Sequence, residues 1–235
     1  MPMAFRFQKF TVHKNQYSHK IGTDAMVLGS LVRGKNVAHV LDVGAGSGVL
    51  GLMMAQNFEN SFITCLEIDP GSYEECVFNV SSSAFHDRIK TENLDILQYQ
   101  SPVKFDVIVC NPPYYLSNNP SNVENQLQKH ISLRVLQNWF EKWQTLLSDE
   151  GQLWLIFPFQ SKDEFIGLAQ KAGLISVSQT HILNQHQEPI RIVQCWSKLP
   201  FKESICTLTL RNLDGTYSEE YKELTKNFHD RVPQR

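Results

Sequence analysis

From Ala38 onward the apolar positions follow two alternating periods, and each switch between them marks an element boundary. Short runs of β-branched and apolar residues predict strands over 38–43, 61–68, near 88–91 and over 104–110. Between them, helical spacing predicts helices over about 47–57 and 70–82. In the second, Tyr73, Cys76, Val77 and Val80 recur at i, i+3, i+4 and i+7, which makes one apolar stripe. Strands that alternate with helices need crossover connections, and crossovers build a parallel sheet.

Beyond residue 114 the pattern loosens. Residues 115–129 are polar, with four asparagines, and read as a loop; a loop of that length in a compact domain is more often functional than idle. A helix over about 131–147 follows, its apolar side built from Leu136, Trp139, Phe140, Trp143 and Leu147, which are core positions. Next come a strand over 151–157, a helix over about 161–172, a hairpin of strands at about 174–183 and 190–197, and a strand near 204–210. A helix near 218–228 carries Tyr217, Tyr221, Leu224 and Phe228 on one side. Ahead of the periodic region, residues 5–12 alternate as a strand or extended arm, and 25–32 read as a short helix that Thr23 or Asp24 is suited to cap. The expected organisation is a single domain over 1–235, with an extension at 1–37, a core at 38–198 and an addition at 199–235.

Composition is that of an ordinary soluble chain, and no apolar run approaches the ~20 residues that span a bilayer. The first residues lack the basic-then-apolar order of a secretory signal, so a cytoplasmic location is expected. Five cysteines, Cys65, Cys76, Cys110, Cys195 and Cys206, form no metal-ligand or disulfide pattern, and no metal is expected. The net charge of −2 conceals an asymmetry: residues 1–35 hold six basic side chains against Asp24 alone, and the remainder holds sixteen against twenty-three acids. A polyanion would therefore be met locally, with Arg6, Lys9 and Lys14 as the basic candidates.

Two motifs carry chemistry. Leu41-Asp42-Val43-Gly44-Ala45-Gly46-Ser47-Gly48 is a strand entering a glycine-rich turn. Glycines at 44, 46 and 48 let backbone approach a ligand, but Val49 stands where the dinucleotide fingerprint has its last glycine. With the acid Asp42 ahead of them, they suit a cofactor with a cationic, amino-acid-like end, S-adenosylmethionine. Glu67 ends the next strand about 20 residues on, where an acid accepts from ribose hydroxyls. Asp95 follows the third strand and is placed for an adenine amino group, or is a simple loop aspartate. The second motif is Asn111-Pro112-Pro113-Tyr114, directly after the strand Phe105-Asp106-Val107-Ile108-Val109-Cys110. The prolines end the ladder and leave an amide, a carbonyl and a phenol at the strand's carboxyl edge, where open α/β sheets bind ligands.

This order of motifs resembles the Rossmann-like class I methyltransferases that modify exocyclic or amide nitrogens, over roughly residues 38–198. Lys20 to Gly29 and the Tyr217 to Phe228 tail resemble, more narrowly, the tRNA(Val) adenine-37 N6-methyltransferase family. The resemblance implies a seven-stranded, mostly parallel sheet of order 3-2-1-4-5-7-6 with helices on both faces. It implies that Asp42, Gly44, Gly46, Glu67, Ile68, Asp95 and Asn111 hold the cofactor, with Thr23 and Asp24 closing over its methionine end. Asn111, Pro112 and Tyr114 would be catalytic, and Pro113 and Tyr114 would meet the target base. The implied partner is tRNA, the implied state a monomer without metal. Two alternatives stay open: transfer to a protein glutamine amide or DNA adenine, and a non-catalytic RNA-binding protein.

Overall fold

The structure, a computed structural model, describes residues 3–14, 22–112 and 123–230, with side chains for 4–13, 22–112 and 133–230. The chain opens with β1 (Met3–Arg6) and β2 (Thr11–Lys14), paired antiparallel. The single strand or arm expected over 5–12 is thus a hairpin. Its apolar turn folds inward, with the rings of Phe7 and Phe10 stacked at 4.2 Å and the Phe7 amide donating to the Phe10 carbonyl at 2.8 Å.

The elements then follow as α1 (Thr23–Leu31), β3 (His39–Val43), α2 (Val49–Asn57), β4 (Phe62–Glu67), α3 (Pro70–Ser81), β5 (Ile89–Asn93) and β6 (Phe105–Cys110). After the segment outside the described residues come α4 (Val123–Leu146), β7 (Leu147–Pro158), α5 (Lys162–Lys171), β8 (Ile175–Leu183), β9 (Pro189–Ser197), β10 (Ser204–Thr209) and α6 (Glu219–Thr225). The helix expected from about 131 begins at Val123 instead. Glu124, Gln126, Leu127, Gln128 and Lys129 are all good helix formers, so the polar composition that suggested a loop also suits a helix.

The sheet runs β10-β8-β9-β7-β6-β3-β4-β5, with β9 antiparallel to both neighbours and every other pair parallel. Counted along the crossover units, this is the expected 3-2-1-4-5-7-6 order with one correction: the sheet has eight strands, because β10 joins β8 in parallel. One face packs beneath α1, α2, α6 and part of α3, with the β1–β2 hairpin; the other lies against α4 and α5. Leu136, Phe140, Trp143 and Leu147 are buried as expected. The stripe on α3 is rotated from its expected place: Ser72, Glu75, Cys76, Asn79 and Val80 face inward, while Val77 is exposed.

The first and last described segments meet. Phe7 bridges to His229, and the Gln8 amide and side chain reach the carbonyls of Phe228, Lys226 and His229. Among the described residues no helix is long and apolar enough to cross a membrane.

Candidate active site

Because β3, β4, β5, β6 and β7 are parallel, the residues that follow them collect along one carboxyl edge. Val43 on β3 lies level with Leu66 on β4 and Cys110 on β6. The glycine turn, Glu67 and Asn111 therefore leave three adjacent strands at the same height.

The glycine turn is shaped by its backbone. Gly44, Gly46 and Gly48 have φ of 69°, 54° and 81°, a left-handed region that glycine enters without strain. A Cβ built on Gly44 or Gly46 would meet nothing within 4 Å, so open space lies along this side of the turn. The Leu66 carbonyl accepts from both the Gly44 and Ala45 amides at 2.9 Å. Glu67, 8% exposed, accepts from the Gly46 amide at 2.7 Å with one oxygen and from the Asp69 amide at 2.9 Å with the other. It is thus a bridge between two strand-to-helix turns. From the far side, Asn79 on α3 donates to the Ser47 carbonyl at 2.9 Å, and exchanges two further bonds with the backbone of His13 on β2.

Asp42 stands behind the turn and not on its open face. It is fully buried, one oxygen accepting from the Gly51 amide at 2.8 Å and the other, Oδ1, without a hydrogen-bond partner among the described residues. Burial pushes its carboxyl up to about 7; the Gly51 bond opposes that rise and the Glu67 charge adds to it. Asp42, expected among the residues that hold the cofactor, lies behind the turn, where its side chain anchors α2.

Beyond Glu67, Ile68 is 64% exposed, an apolar side chain left open at the edge. Asn93 fixes it by donating to the carbonyls of Glu67 and Ile68. Asp95 uses one oxygen to accept from the Leu97 amide at 2.9 Å, a local turn, and sits beside the exposed Leu97. Asn111 and the buried Pro112 follow β6 directly; Pro113 and Tyr114 lie outside the described residues. Thr23 and Asp24 open α1, and the Arg191 Nε on β9 donates to the Asp24 Oδ2 at 3.0 Å. Arg191 lies opposite Pro158, at the carboxyl end of β7, so the same edge holds this pair.

The basic candidates divide. Lys9 sits at the tip of the hairpin, its Nζ 3.8 Å from Glu59 in the turn between α2 and β4. That turn is at the amino end of the sheet, so Lys9 faces away from Asn111. Arg6, opposite Thr11 beside the tip, shares that displacement. Lys14 ends β2 next to His13, on the glycine-turn side.

Sequence reasoning missed Asn79 and Arg191. Both left a signal: a polar residue three positions from Cys76 on a half-apolar helix, and a lone arginine within the apolar strand around Ile190, Ile192 and Val193. Four of the five cysteines are buried, and burial raises the thiol pKa of Cys110 beside Asn111, so it is an inert packing group.

Comparison with known proteins extends this geometry. Residues 8–180 match the family described as methyltransferase small domain. A tRNA1(Val) (adenine(37)-N6)-methyltransferase from Phocaeicola vulgatus is 34% identical over 227 residues, 96% of this chain and 97% of that protein. Proteins of the same name from Haemophilus influenzae and Actinobacillus pleuropneumoniae are 30% and 29% identical over 230 residues, again over 96% of this chain and 97% of each relative. Among solved structures, a predicted O-methyltransferase from Agrobacterium tumefaciens aligns with a TM-score of 0.65 at 22% identity, over 87% of this chain and 96% of that one. A glycopeptide N-methyltransferase complexed with S-adenosylmethionine aligns with a TM-score of 0.56 at 11% identity, over 77% and 90%.

Proposed function

Since this chain belongs to the methyltransferase small-domain family and, within it, to the tRNA1(Val) (adenine(37)-N6)-methyltransferases, we propose that it methylates the exocyclic N6 of an adenine in tRNA, adenine 37 of tRNA1(Val). The observation that carries this reading is that Asn111, directly after β6, leaves the sheet level with the glycine turn that follows β3, which sets an amide next to an open cradle.

S-adenosylmethionine, when bound, supplies an electrophilic methyl on a sulfonium. The residues suit it: the open side of Gly44 and Gly46 admits its amino-acid end, Glu67 meets the ribose, and Ile68 and Asp95 flank the adenine. Asp42 supports the turn from behind, and Thr23 and Asp24 lie toward the methionine end. Glu67 already accepts two backbone bonds, so ribose hydroxyls share or replace them.

Adenine's amino nitrogen is a weak nucleophile because its lone pair is delocalised into the ring. The Asn111 side-chain oxygen and the Pro112 carbonyl each accept one amino hydrogen, which draws the nitrogen toward tetrahedral geometry and frees the lone pair. Proline at 112 offers a carbonyl and no competing N–H. Tyr114 supplies the ring on which the unstacked base rests, and the rest of catalysis is positioning. Lys14, at the glycine-turn end of β2, is assigned to the RNA side, and the enzyme works on tRNA in the cytoplasm.

The test is mass spectrometry of nucleosides from a tRNA(Val) transcript incubated with the protein and methyl-labelled S-adenosylmethionine. Labelled N6-methyladenosine is expected. Asn111→Ala should remove most of it while calorimetry finds the cofactor affinity nearly unchanged. Parallel loss of both would make the strand-end turn a structural feature.

A further inference from the structure

We propose that His181 and Lys162 form a sugar and phosphate subsite for the substrate strand, where the His181 ring accepts a 2′-hydroxyl and Lys162 meets the neighbouring phosphate. The proposal rests on the reading of the substrate as RNA and adds a contact beyond the methylated base.

The position follows from register. On β7, Leu155 lies level with Cys110, and Phe157, two residues further on, is level with Ile192 of β9, itself opposite His181 of β8. His181 therefore stands at the height of the residues that follow β6, three strands away, about 14 Å across the sheet. Phe159, directly after β7, packs against His181 at near right angles with ring centroids 5.1 Å apart. The Lys162 Nζ, at the start of α5, lies 6.0 Å from the centre of the same phenyl ring. All three side chains are half-buried.

A chain of hydrogen bonds decides which nitrogen of His181 is bare. Bonds from Ser176 and Gln179 hold the Glu203 carboxyl below the usual carboxylate range, so it is ionised and can only accept. Gln179 must then donate to it through Nε2, at 2.8 Å, which turns Oε1 toward His181 Nε2 at 3.2 Å. An amide oxygen only accepts, so His181 carries its proton on Nε2. Burial first, and the Lys162 charge second, hold the ring below the usual histidine value, and it is neutral at pH 7. Nδ1 is thus a lone-pair acceptor, without a partner among the described residues. Behind this chain the fully buried Gln194 donates to the Ser176 hydroxyl at 2.5 Å, which anchors the network in β9.

A bare acceptor and an ammonium on either side of one phenyl ring match a hydroxyl donor next to an anion. Lys162 makes no ion pair among the described residues. Asp163 and Glu164 follow it in the first turn of α5, and Glu203 lies behind Gln179, so net charge alone does not draw a polyanion here. Recognition has to come from hydrogen-bond geometry. The 2′-hydroxyl is the donor that RNA offers and DNA lacks.

The experiment uses stem-loop RNAs with the anticodon loop of tRNA(Val), one all-ribose and the others with a single 2′-deoxy sugar at each loop position except the target. With the wild-type protein, one position should lower kcat/KM for methyl transfer about three- to tenfold, the scale of one neutral hydrogen bond. His181→Phe keeps a flat ring without the acceptor. It should show that loss on the all-ribose loop and no further loss at the sensitive position. Lys162→Gln should flatten the dependence of log affinity for RNA on log salt by roughly 0.7–0.9 of a unit. Nitrogen chemical shifts of the His181 ring should place its proton on Nε2 at pH 7, and S-adenosylhomocysteine should bind all three proteins alike.

Wild-type activity that is insensitive to every 2′-deoxy sugar would overturn the proposal. So would additive losses from His181→Phe and the sensitive sugar, a proton on Nδ1, or an unchanged salt slope in Lys162→Gln. A wild-type protein that methylates none of the loops would instead remove the RNA reading on which the proposal stands.

Discussion

Two strand-to-helix turns leave the carboxyl edge side by side, and they are held in opposite ways. The β4–α3 turn closes itself: Asp69 caps α3 by accepting from Ser72, three residues on, and Pro70 begins the helix. The β3–α2 turn has no such cap. Its supports come from elsewhere in the chain: Asp42 on Gly51 from nine residues away, Glu67 on Gly46 from twenty-one, Asn79 on Ser47 from thirty-two. A turn whose own amides must remain open to a ligand leaves them without local side-chain partners, so its shape depends on tertiary contacts. A turn with no ligand is stabilised most simply by its nearest side chain.

This contrast can be broken at its most distant support. Asn79 makes three hydrogen bonds from a fully buried position, so Asn79→Ala should cost on the order of 3–4 kcal/mol in urea denaturation and weaken cofactor binding as well. Survival of both would mean that the turn holds its own shape.

Asp42 should act in the other direction. Its folded carboxyl, at about 7, lies above the 3.8 of the exposed group, so the fold favours the protonated form. That preference is fully satisfied below pH 4 and is lost as pH rises through 7. Asp42→Asn, which cannot ionise, should therefore stabilise the protein at pH 8 by roughly 4 kcal/mol and by almost nothing at pH 4. Unfolding curves at the two pH values check the sign.

A smaller effect separates the glycines. Alanine at Gly48 incurs the left-handed backbone cost and also places Cβ 2.9 Å from the Cys76 sulfur; alanine at Gly44 incurs the first cost alone. Gly48→Ala should lose roughly 2–3 kcal/mol and Gly44→Ala roughly 1–2. The difference should shrink when Cys76 is also replaced by alanine. Gly44→Ala should nonetheless weaken cofactor binding more than its stability loss suggests, because its Cβ points into the open space.

The smallest effect belongs to the closed turn. The Ser72 amide and hydroxyl hold the Asp69 carboxyl below the usual carboxylate range, so its cap is present at neutral pH and is lost on acidification. Asp69→Ala should lower the melting temperature slightly at pH 7, with the difference from wild type fading below pH 4. Cofactor affinity should not change.

Much of this was legible along the chain because the period of apolar residues is a local property. The strands 104–110 and 61–68 and the helix carrying Trp143 were recoverable from spacing alone. So was the coincidence of a glycine turn with Asn111 one strand over, since parallel crossovers bring every strand end to one edge. What did not show was whatever depends on contacts between distant segments. Lys9 read as a cation near the site because charge was counted by position in sequence, and the hairpin carries it to the opposite end. The depth of Asp42 behind α2 is likewise a tertiary fact. Asn79 was hidden within a stripe judged by hydrophobicity, although its amide is the group that joins β2 to the glycine turn.

The meeting of Phe7 with His229 has a temporal side. A ribosome adds about 5–20 residues per second, so Phe7 leaves it roughly 10–40 seconds before the segment it packs against exists. During that interval Phe5 and Phe7 lack their partner at His229, while Phe10 already has Phe7 and Phe85, and β2 is already joined to α3 through Asn79. A chain stalled before residue 228 would leave the Phe5 and Phe7 side of the hairpin without the cover that His229 supplies.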